Sequence, residues 1–210
     1  MRQIKLSEFT LKRIKNREFE KFIPEFYELE EIVENDDWHN NDSVLNHTLT
    51  VLEKLEELLK NIRGKISKYL NREITNYTRK DLLFLAAVFH DIGKKEMFAK
   101  ENNKTSCQNH EKESARKANK ILSRLDLSKK EKDLIRQIIK YHNVIPPIVE
   151  PNNNKLNEEF AGIQKNYSNI FLEILLLSMA DLLGNQLREN NPAEFNFKIN
   201  FYKKALHYYE

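Results

Sequence analysis

The sequence has little of several residue types, and each scarcity argues against a class of protein. One cysteine among 210 residues, Cys107, leaves no internal disulfide and fits a reducing cytoplasm. Its polar surroundings predict an inert thiol rather than a nucleophile. Four glycines and five prolines are too few for a turn-rich β architecture, so the composition favours helices. The 35 basic and 32 acidic residues nearly balance, which is unlike the one-sided basic surface of a nucleic-acid-binding protein.

Long apolar runs are also missing from this chain. The longest, residues 171–183, is too short to span a bilayer and contains Glu173 and Asp181. The N-terminal residues lack the apolar centre of a secretory signal peptide. We therefore expect a cytoplasmic protein without a membrane span. Its length suits one domain with a substantial core, and its oligomeric state is left open.

Most of the chain is predicted to be helical, because apolar residues recur at helical spacing. The predicted helices cover about residues 7–22, 24–33, 43–59, 65–70, 79–91, 110–124, 128–142, 155–165, 168–188 and 193–208. Residues 35–42 and 92–109 are interpreted as polar loops, and neither strands nor internal repeats are predicted. The fold class is therefore an all-α helical bundle.

The dipeptide His90-Asp91 is the most informative feature that is present. It follows the strongly apolar run of residues 82–89 and precedes Gly93, which we expect to end the helix in a left-handed conformation. A histidine and a carboxylate next to a core helix cost free energy unless they have partners. The pair therefore predicts a cluster of polar ligands or a metal ion.

Other parts of the chain offer further metal-capable side chains. The histidines His47, His90, His110 and His142 each lie near the end of a separate predicted helix. Asp181 stands in a run that is apolar nearly all round, where a lone carboxylate is rare. Three other side chains are interpreted as lying outside the cluster. We expect Glu173 to face solvent and His207 to lie at the surface or in packing. We expect His39 to be an exposed loop residue beside Trp38, with a place at the mouth of the site as the alternative.

This mixture of imidazole and carboxylate groups suits Mn, Fe, Co, Ni or Zn, whereas an all-oxygen site would suit Mg or Ca. Asp91 has two oxygens and so can bridge two ions. Two metals about 3.5–4 Å apart would clamp a phosphoryl group during an in-line displacement. Since no serine or cysteine has an obvious catalytic setting, the expected nucleophile is a metal-held hydroxide.

The order of these residues resembles the HD-domain superfamily of metal-dependent phosphohydrolases. The matching segments are Asn46-His47-Thr48-Leu49, Val88-Phe89-His90-Asp91-Ile92-Gly93-Lys94, His110-Glu111, Tyr141-His142 and Ser178-Met179-Ala180-Asp181. The segment Trp38-His39-Asn40-Asn41-Asp42 before them resembles the HD domain of bacterial tRNA nucleotidyltransferases and poly(A) polymerase relatives, here expected as a standalone protein. The expected divisions are an N-terminal helical extension at 1–23, an HD domain at 24–190, and a C-terminal helix at 191–210 packed on that domain.

The resemblance implies a role for each matching position. One metal would be held by His47, His90, Asp91 and Asp181, and a second by Asp91, His110 and His142. Asp91 would be the central catalytic residue. Lys94 would contact the substrate phosphate as a point charge, and the competing interpretation is a solvated lysine at a helix end. One or two divalent ions (Mn, Fe, Ni, Co or Zn, with Mg as an option) would then serve hydrolysis of a nucleotide or another small phosphorylated metabolite.

Two alternatives stay open at this stage. Some members of the superfamily use the same ligands to hold a mixed-valent di-iron centre that cleaves bonds with O₂. A non-catalytic module that senses nucleotides is the other alternative, although the complete ligand set argues against it.

Overall fold

The structure is a computed structural model that describes residues 4–209, and helices supply most of its secondary structure. The α-helices are α1 (Leu11–Lys15), α2 (Pro24–Tyr27), α3 (Val44–Asn61), α4 (Gly64–Leu70), α5 (Arg79–Phe89), α6 (Lys94–Met97), α7 (His110–Leu122), α8 (Lys129–Tyr141), α9 (Leu156–Asn166), α10 (Phe171–Gly184), α11 (Leu187–Asn190) and α12 (Pro192–His207). Three short 3₁₀ segments accompany them (Leu6–Glu8, Glu28–Glu31 and Pro146–Ile148). The predicted all-α class is confirmed.

The longer helices begin where side chains satisfy their free backbone N–H groups. Ser43 accepts a hydrogen bond from the Asn46 N–H at the start of α3. Thr78 starts α5 and Ser128 starts α8, and each does so in a reciprocal capping box. These local patterns explain why the predicted helix starts agree with the structure.

Helix α10 lies at the centre of the bundle. It packs along α3 and also contacts α12. Helix α5 packs against α3 and α8, and α7 pairs with α8. Residues Ile174 to Leu177 of α10 are completely buried, as expected for a helix that is apolar nearly all round. Every described helix is too short or too polar to cross a lipid bilayer.

The prediction of no strands was wrong, because two β-hairpins interrupt the helices. Strands β1 (Val33–Asn35) and β2 (Asn40–Ser43) form one antiparallel pair, and β3 (Ala99–Glu101) and β4 (Lys104–Ser106) form the other. Their residues are mostly polar, so they lack the alternation of apolar residues that predicts a strand. Asn102 and Asn103 have φ of 49° and 63°, as a two-residue hairpin turn requires, and were misread as part of a loop.

Four further local predictions were wrong. The predicted helix 7–22 is a short α1 followed by turns, with Arg17 at a φ of 57°, and the predicted helix 168–188 divides into α10 and α11. Gly93 has a φ of −90°, so it is not a left-handed stop. Glu173 is fully buried rather than solvent-facing, because its carboxylate accepts a hydrogen bond from the Arg79 guanidinium at 2.5 Å.

Candidate metal centre

Five helices bring the six predicted ligand residues to one place. His47 lies in the first turn of α3, the pair His90-Asp91 directly follows α5, His110 opens α7, His142 directly follows α8, and Asp181 lies in the last turn of α10. The four histidines and Asp91 are each at most 9% exposed. Since they come from separate helices, the packing of the bundle fixes their relative positions.

Asp91 is the centre of this cluster, because each of its oxygens faces two imidazoles. Its Oδ1 lies 3.1 Å from His110 Nε2 and 3.8 Å from His142 Nε2. Its Oδ2 lies 3.4 Å from His90 Nε2 and 3.7 Å from His47 Nε2. Two groups of side chains able to hold a metal ion therefore share this one carboxylate.

Asp181 joins the group on the Oδ2 side of Asp91. Its Oδ1 lies 2.9 Å from His47 Nε2 and 3.8 Å from His90 Nε2. That side of the cluster therefore contains two imidazoles and two carboxylates, a donor set that suits divalent transition metals.

Backbone carbonyls fix the tautomers of three histidines. Nδ1 of His90, His110 and His142 donates to the carbonyl oxygen three residues earlier, at 2.7–2.8 Å. A carbonyl only accepts, so Nδ1 carries a proton and Nε2 is the nitrogen that faces the cluster, where the neutral imidazole offers its lone pair. Metal-ligating histidines use their second nitrogen in this way.

Two observations show that a cation fits among these lone pairs. His90 Nε2 is buried and has no hydrogen-bond partner. His110 Nε2 and His142 Nε2 lie 3.3 Å apart, so two bare lone pairs would face each other unless a proton or a metal ion lay near both. The residues present therefore fit a divalent metal ion on each side of Asp91.

Two members of the cluster, Asp91 and His142, have the protonation states that metal binding needs at neutral pH. Burial alone would raise the pKa of Asp91, but the neighbouring His90, Lys94 and His110 hold it well below its ordinary value. Burial, with the nearby His90 and His110, lowers the pKa of His142 to about 4. Asp91 is therefore a carboxylate and His142 a neutral imidazole near pH 7, as metal ligands must be.

Lys94 is buried beside Asp91, so the interpretation as a solvated lysine was wrong. Its Nζ lies 2.9 Å from Asp91 Oδ2 and 2.8 Å from Glu34 Oε2 of strand β1. Burial opposes the charged form, but these two carboxylates raise the pKa of Lys94 above its ordinary value. A permanent positive charge therefore lies at the edge of the cluster.

His39 is not an exposed loop residue. The β1–β2 turn carries it to the cluster, where its ring centroid lies 4.9 Å from that of His47. Its side chain is only 12% exposed, and Asp36 Oδ1 lies 3.0 Å from its Nδ1. Together with Glu34, these residues form a third group with metal-capable atoms. Glu34 and Asp36 were not predicted, because residues 35–42 were interpreted as a solvated loop and no hairpin was expected.

A cavity of about 220 Å³ opens above the cluster. Five of the six predicted ligands line one part of it (His47, Asp91, His110, His142 and Asp181). Residues outside the cluster line other parts, among them Trp38, Asn143, Pro146, Glu150 and Asn185. Lys94 and His39 also line it. A small ligand in this cavity would contact the metal-capable side chains directly.

Cys107 and His207, as expected, show no feature of a catalytic residue. Burial raises the pKa of the Cys107 thiol to about 12, so it is protonated and a poor nucleophile at neutral pH. His207 is exposed near the end of α12. Neither residue lines the cavity.

Comparison with proteins of curated function gives no match. The narrower resemblance to the HD domain of tRNA nucleotidyltransferases therefore stays a prediction. A family model described as the HD domain matches residues 44–185, well over half of the chain, and this range contains all six clustered residues. The chain belongs to the HD-domain family.

Proposed function

We propose that this protein is a metal-dependent phosphohydrolase that cleaves a phosphomonoester or phosphodiester. The observation that carries the proposal is the position of Asp91, with a pair of imidazoles facing each carboxylate oxygen. A bridging carboxylate between two ligand groups is the arrangement that two-metal phosphoryl chemistry needs.

The two ligand groups follow from the distances around Asp91. His47, His90, Asp91 and Asp181 would hold one ion, and Asp91, His110 and His142 would hold the other. Mn, Fe, Co, Ni or Zn suits this donor set, and Mg suits it less well. When bound, such ions polarise phosphoryl oxygens and lower the pKa of water.

Lys94 is proposed to bind the phosphoryl group of the substrate. Its ammonium group lies within 3 Å of the Glu34 carboxylate and of the Asp91 carboxylate. These two contacts fix the positive charge in position before a substrate arrives. A pre-positioned cation stabilises negative charge without reorganisation during the reaction.

The substrate is proposed to be a nucleotide or another small phosphorylated metabolite. The cavity of about 220 Å³ has room for a phosphoryl group and part of its ester. Trp38 and Pro146 offer apolar surface for the rest of such a molecule. The narrower choice of a nucleotide rests on the resemblance of the Trp38-His39 segment to nucleotide-processing proteins.

The proposal is tested by metal analysis of the purified protein, followed by hydrolysis assays with Mn, Ni, Co, Mg and Fe. p-Nitrophenyl phosphate and bis(p-nitrophenyl) phosphate serve as monoester and diester probes, and nucleoside monophosphates and cyclic nucleotides follow. Asp91→Ala should lose metal on both sides and lower kcat/KM by about a hundredfold or more. Asp126→Ala, which removes an exposed carboxylate, is the control.

An Asp91→Ala protein that keeps both its metal and its activity would contradict the proposal. Bound iron together with an O₂-dependent product and no hydrolysis would favour the oxygenase. Firm nucleotide binding without turnover in any metal would favour the sensing module.

A further inference from the structure

One buried hydrogen-bond donor at the cavity has no acceptor. Asn185 follows α10, is 8% exposed and lines the same cavity as the metal-capable cluster. Its Nδ2 is completely buried and has no hydrogen-bond partner. Buried polar groups in folded proteins are nearly always paired, so an unpaired donor at a cavity points to a ligand that supplies the acceptor.

The orientation of this amide follows from the chemistry of its other end. The Leu187 N–H donates to Asn185 Oδ1 at 3.0 Å. A backbone N–H only donates, so the oxygen of the amide must face it and the NH₂ group must face away. The NH₂ group is therefore the end of the amide that lacks a partner.

The backbone on both sides of Asn185 is held in place. Its N–H donates to the Asp181 carbonyl at 3.1 Å, and the next N–H, that of Gln186, donates to the Trp38 carbonyl at 2.9 Å. On the preceding side, a Cβ added to Gly184 would lie 3.0 Å from the Val51 backbone nitrogen, so α10 and α3 are in close contact there. The donor is therefore pre-positioned before any ligand binds.

The neighbours of Asn185 indicate which acceptor it meets. Asp181 lies one helical turn earlier, and residues four apart lie on the same face of a helix. Lys94 lines the cavity as well, and its positive charge favours an anion there. We infer that Asn185 Nδ2 donates a hydrogen bond to a phosphoryl oxygen of the substrate beside the Asp181 side of the cluster, an inference that rests on the proposed phosphohydrolase function.

Asn185→Asp separates this role from a structural one. The aspartate keeps an oxygen for the Leu187 N–H, but it replaces the free NH₂ group with a negatively charged oxygen. If Asn185 were merely structural, this change would leave the affinity for phosphate unaltered. Asn185→Ala removes the acceptor as well, so it should also lower the melting temperature. Asn157→Asp adds the same charge at an exposed position in the first turn of α9 and is the matched control.

The readout is the affinity of the metal-loaded protein for inorganic phosphate, measured by calorimetry beside metal content and melting temperature. Asn185→Asp should raise the Kd for phosphate about tenfold or more, because it loses a hydrogen bond to a charged group and gains a repulsion. Its metal content should stay at the wild-type value, whereas its melting temperature should fall, because the new negative charge is buried. With bis(p-nitrophenyl) phosphate, KM should rise more than kcat falls, while Asn157→Asp should match the wild type.

Three results would overturn the inference: an unchanged Kd in Asn185→Asp, a loss of metal in that variant, or a wild-type protein that binds no phosphate. A protein that hydrolyses no phosphoester but binds phosphate more weakly after Asn185→Asp would refute the proposed function and leave this contact standing. A normal hydrolase whose Asn185→Asp variant is unaffected would refute the contact alone.

Discussion

Gly93 sets how closely helix α7 can approach the residues that follow α5. A Cβ added at this position would lie 2.3 Å from the Ser114 nitrogen and 2.9 Å from the His110 carbonyl oxygen. Both atoms belong to the backbone, so a flexible side chain cannot relieve the overlap. The close contact is what allows His110, at the start of α7, to reach Asp91.

Gly93→Ala should therefore push α7 away and separate His110 from Asp91. We expect the free energy of unfolding to fall by about 1–3 kcal/mol, as for overpacked cores. We also expect metal loss from the side held by His110 and His142, with retention on the other side. Denaturant unfolding and the number of metal ions per chain measure the two effects.

Gly162→Ala is the control for this substitution. Nothing lies within 4 Å of a Cβ added at Gly162, which is in the middle of α9. Alanine there should raise the free energy of unfolding by about 0.5–1 kcal/mol, because glycine weakens a helix. If Gly93→Ala behaved like Gly162→Ala, the close approach of α7 would have no role in the site.

At this scale, the sequence predicted the residues of the cluster better than their surroundings. His90 and Asp91 could be found because polar groups directly after an apolar helix are unusual. Glu173 was misplaced because its partner, Arg79, lies 94 positions away and no local pattern connects them. Asn185 was missed because an unpaired amide is visible only when every neighbouring atom has a position.

Among the elements, the start of α8 depends on one buried carboxylate. Glu131 is completely buried, and its Oε1 accepts hydrogen bonds from the Asn76 and Tyr77 N–H groups at 2.7 and 2.9 Å. Its Oε2 accepts from the Ser128 N–H at 2.7 Å. The same side chain therefore caps α8 and holds the turn that precedes α5.

Glu131→Gln should lower the free energy of unfolding by about 1–3 kcal/mol, because the amide NH₂ would face N–H groups that need an acceptor. Burial raises the pKa of Glu131, but these hydrogen bonds outweigh it and lower the pKa below the ordinary 4.5. The stabilising contribution is thus present above pH 4.5 and declines as the pH falls further.

The difference between wild type and Glu131→Gln should shrink in acid, which urea unfolding at pH 7 and at successively lower pH values measures. Glu158→Gln is the control, since Glu158 is an exposed carboxylate in the first turn of α9. A Glu131→Gln protein as stable as this control at pH 7 would contradict the role of Glu131.

The sequence predicted helices well and hairpins poorly, for a physical reason. Helices such as α3 and α8 carry local patterns, a capping side chain and an apolar face, that can be recognised without their neighbours. The β1–β2 hairpin is held by contacts with distant parts of the chain, including a hydrogen bond from the Asn35 N–H to Thr105 in β4. Such long-range contacts leave no periodic pattern in the sequence.

For the whole molecule, the ligand cluster is the place where five helices meet. The six residues come from α3, α10 and the ends of α5, α7 and α8, and they are separated by up to 134 positions in the chain. An unfolded chain cannot hold these side chains together. A metal ion that binds the folded state alone would therefore stabilise the entire bundle.

Removal of metal by a chelator should accordingly lower the melting temperature of the wild-type protein. A free metal concentration a hundred times the Kd corresponds to about 2.7 kcal/mol of stabilisation. For a chain of this size, each kcal/mol shifts Tm by about 2–4 °C, so we expect a fall of about 5–11 °C. Calorimetric scans before chelation, after it, and after metal is restored would measure the shift. Asp91→Ala should show almost no shift, whereas Asp126→Ala should match the wild type. An equal shift in Asp91→Ala would mean that the metal stabilises the protein from some other site.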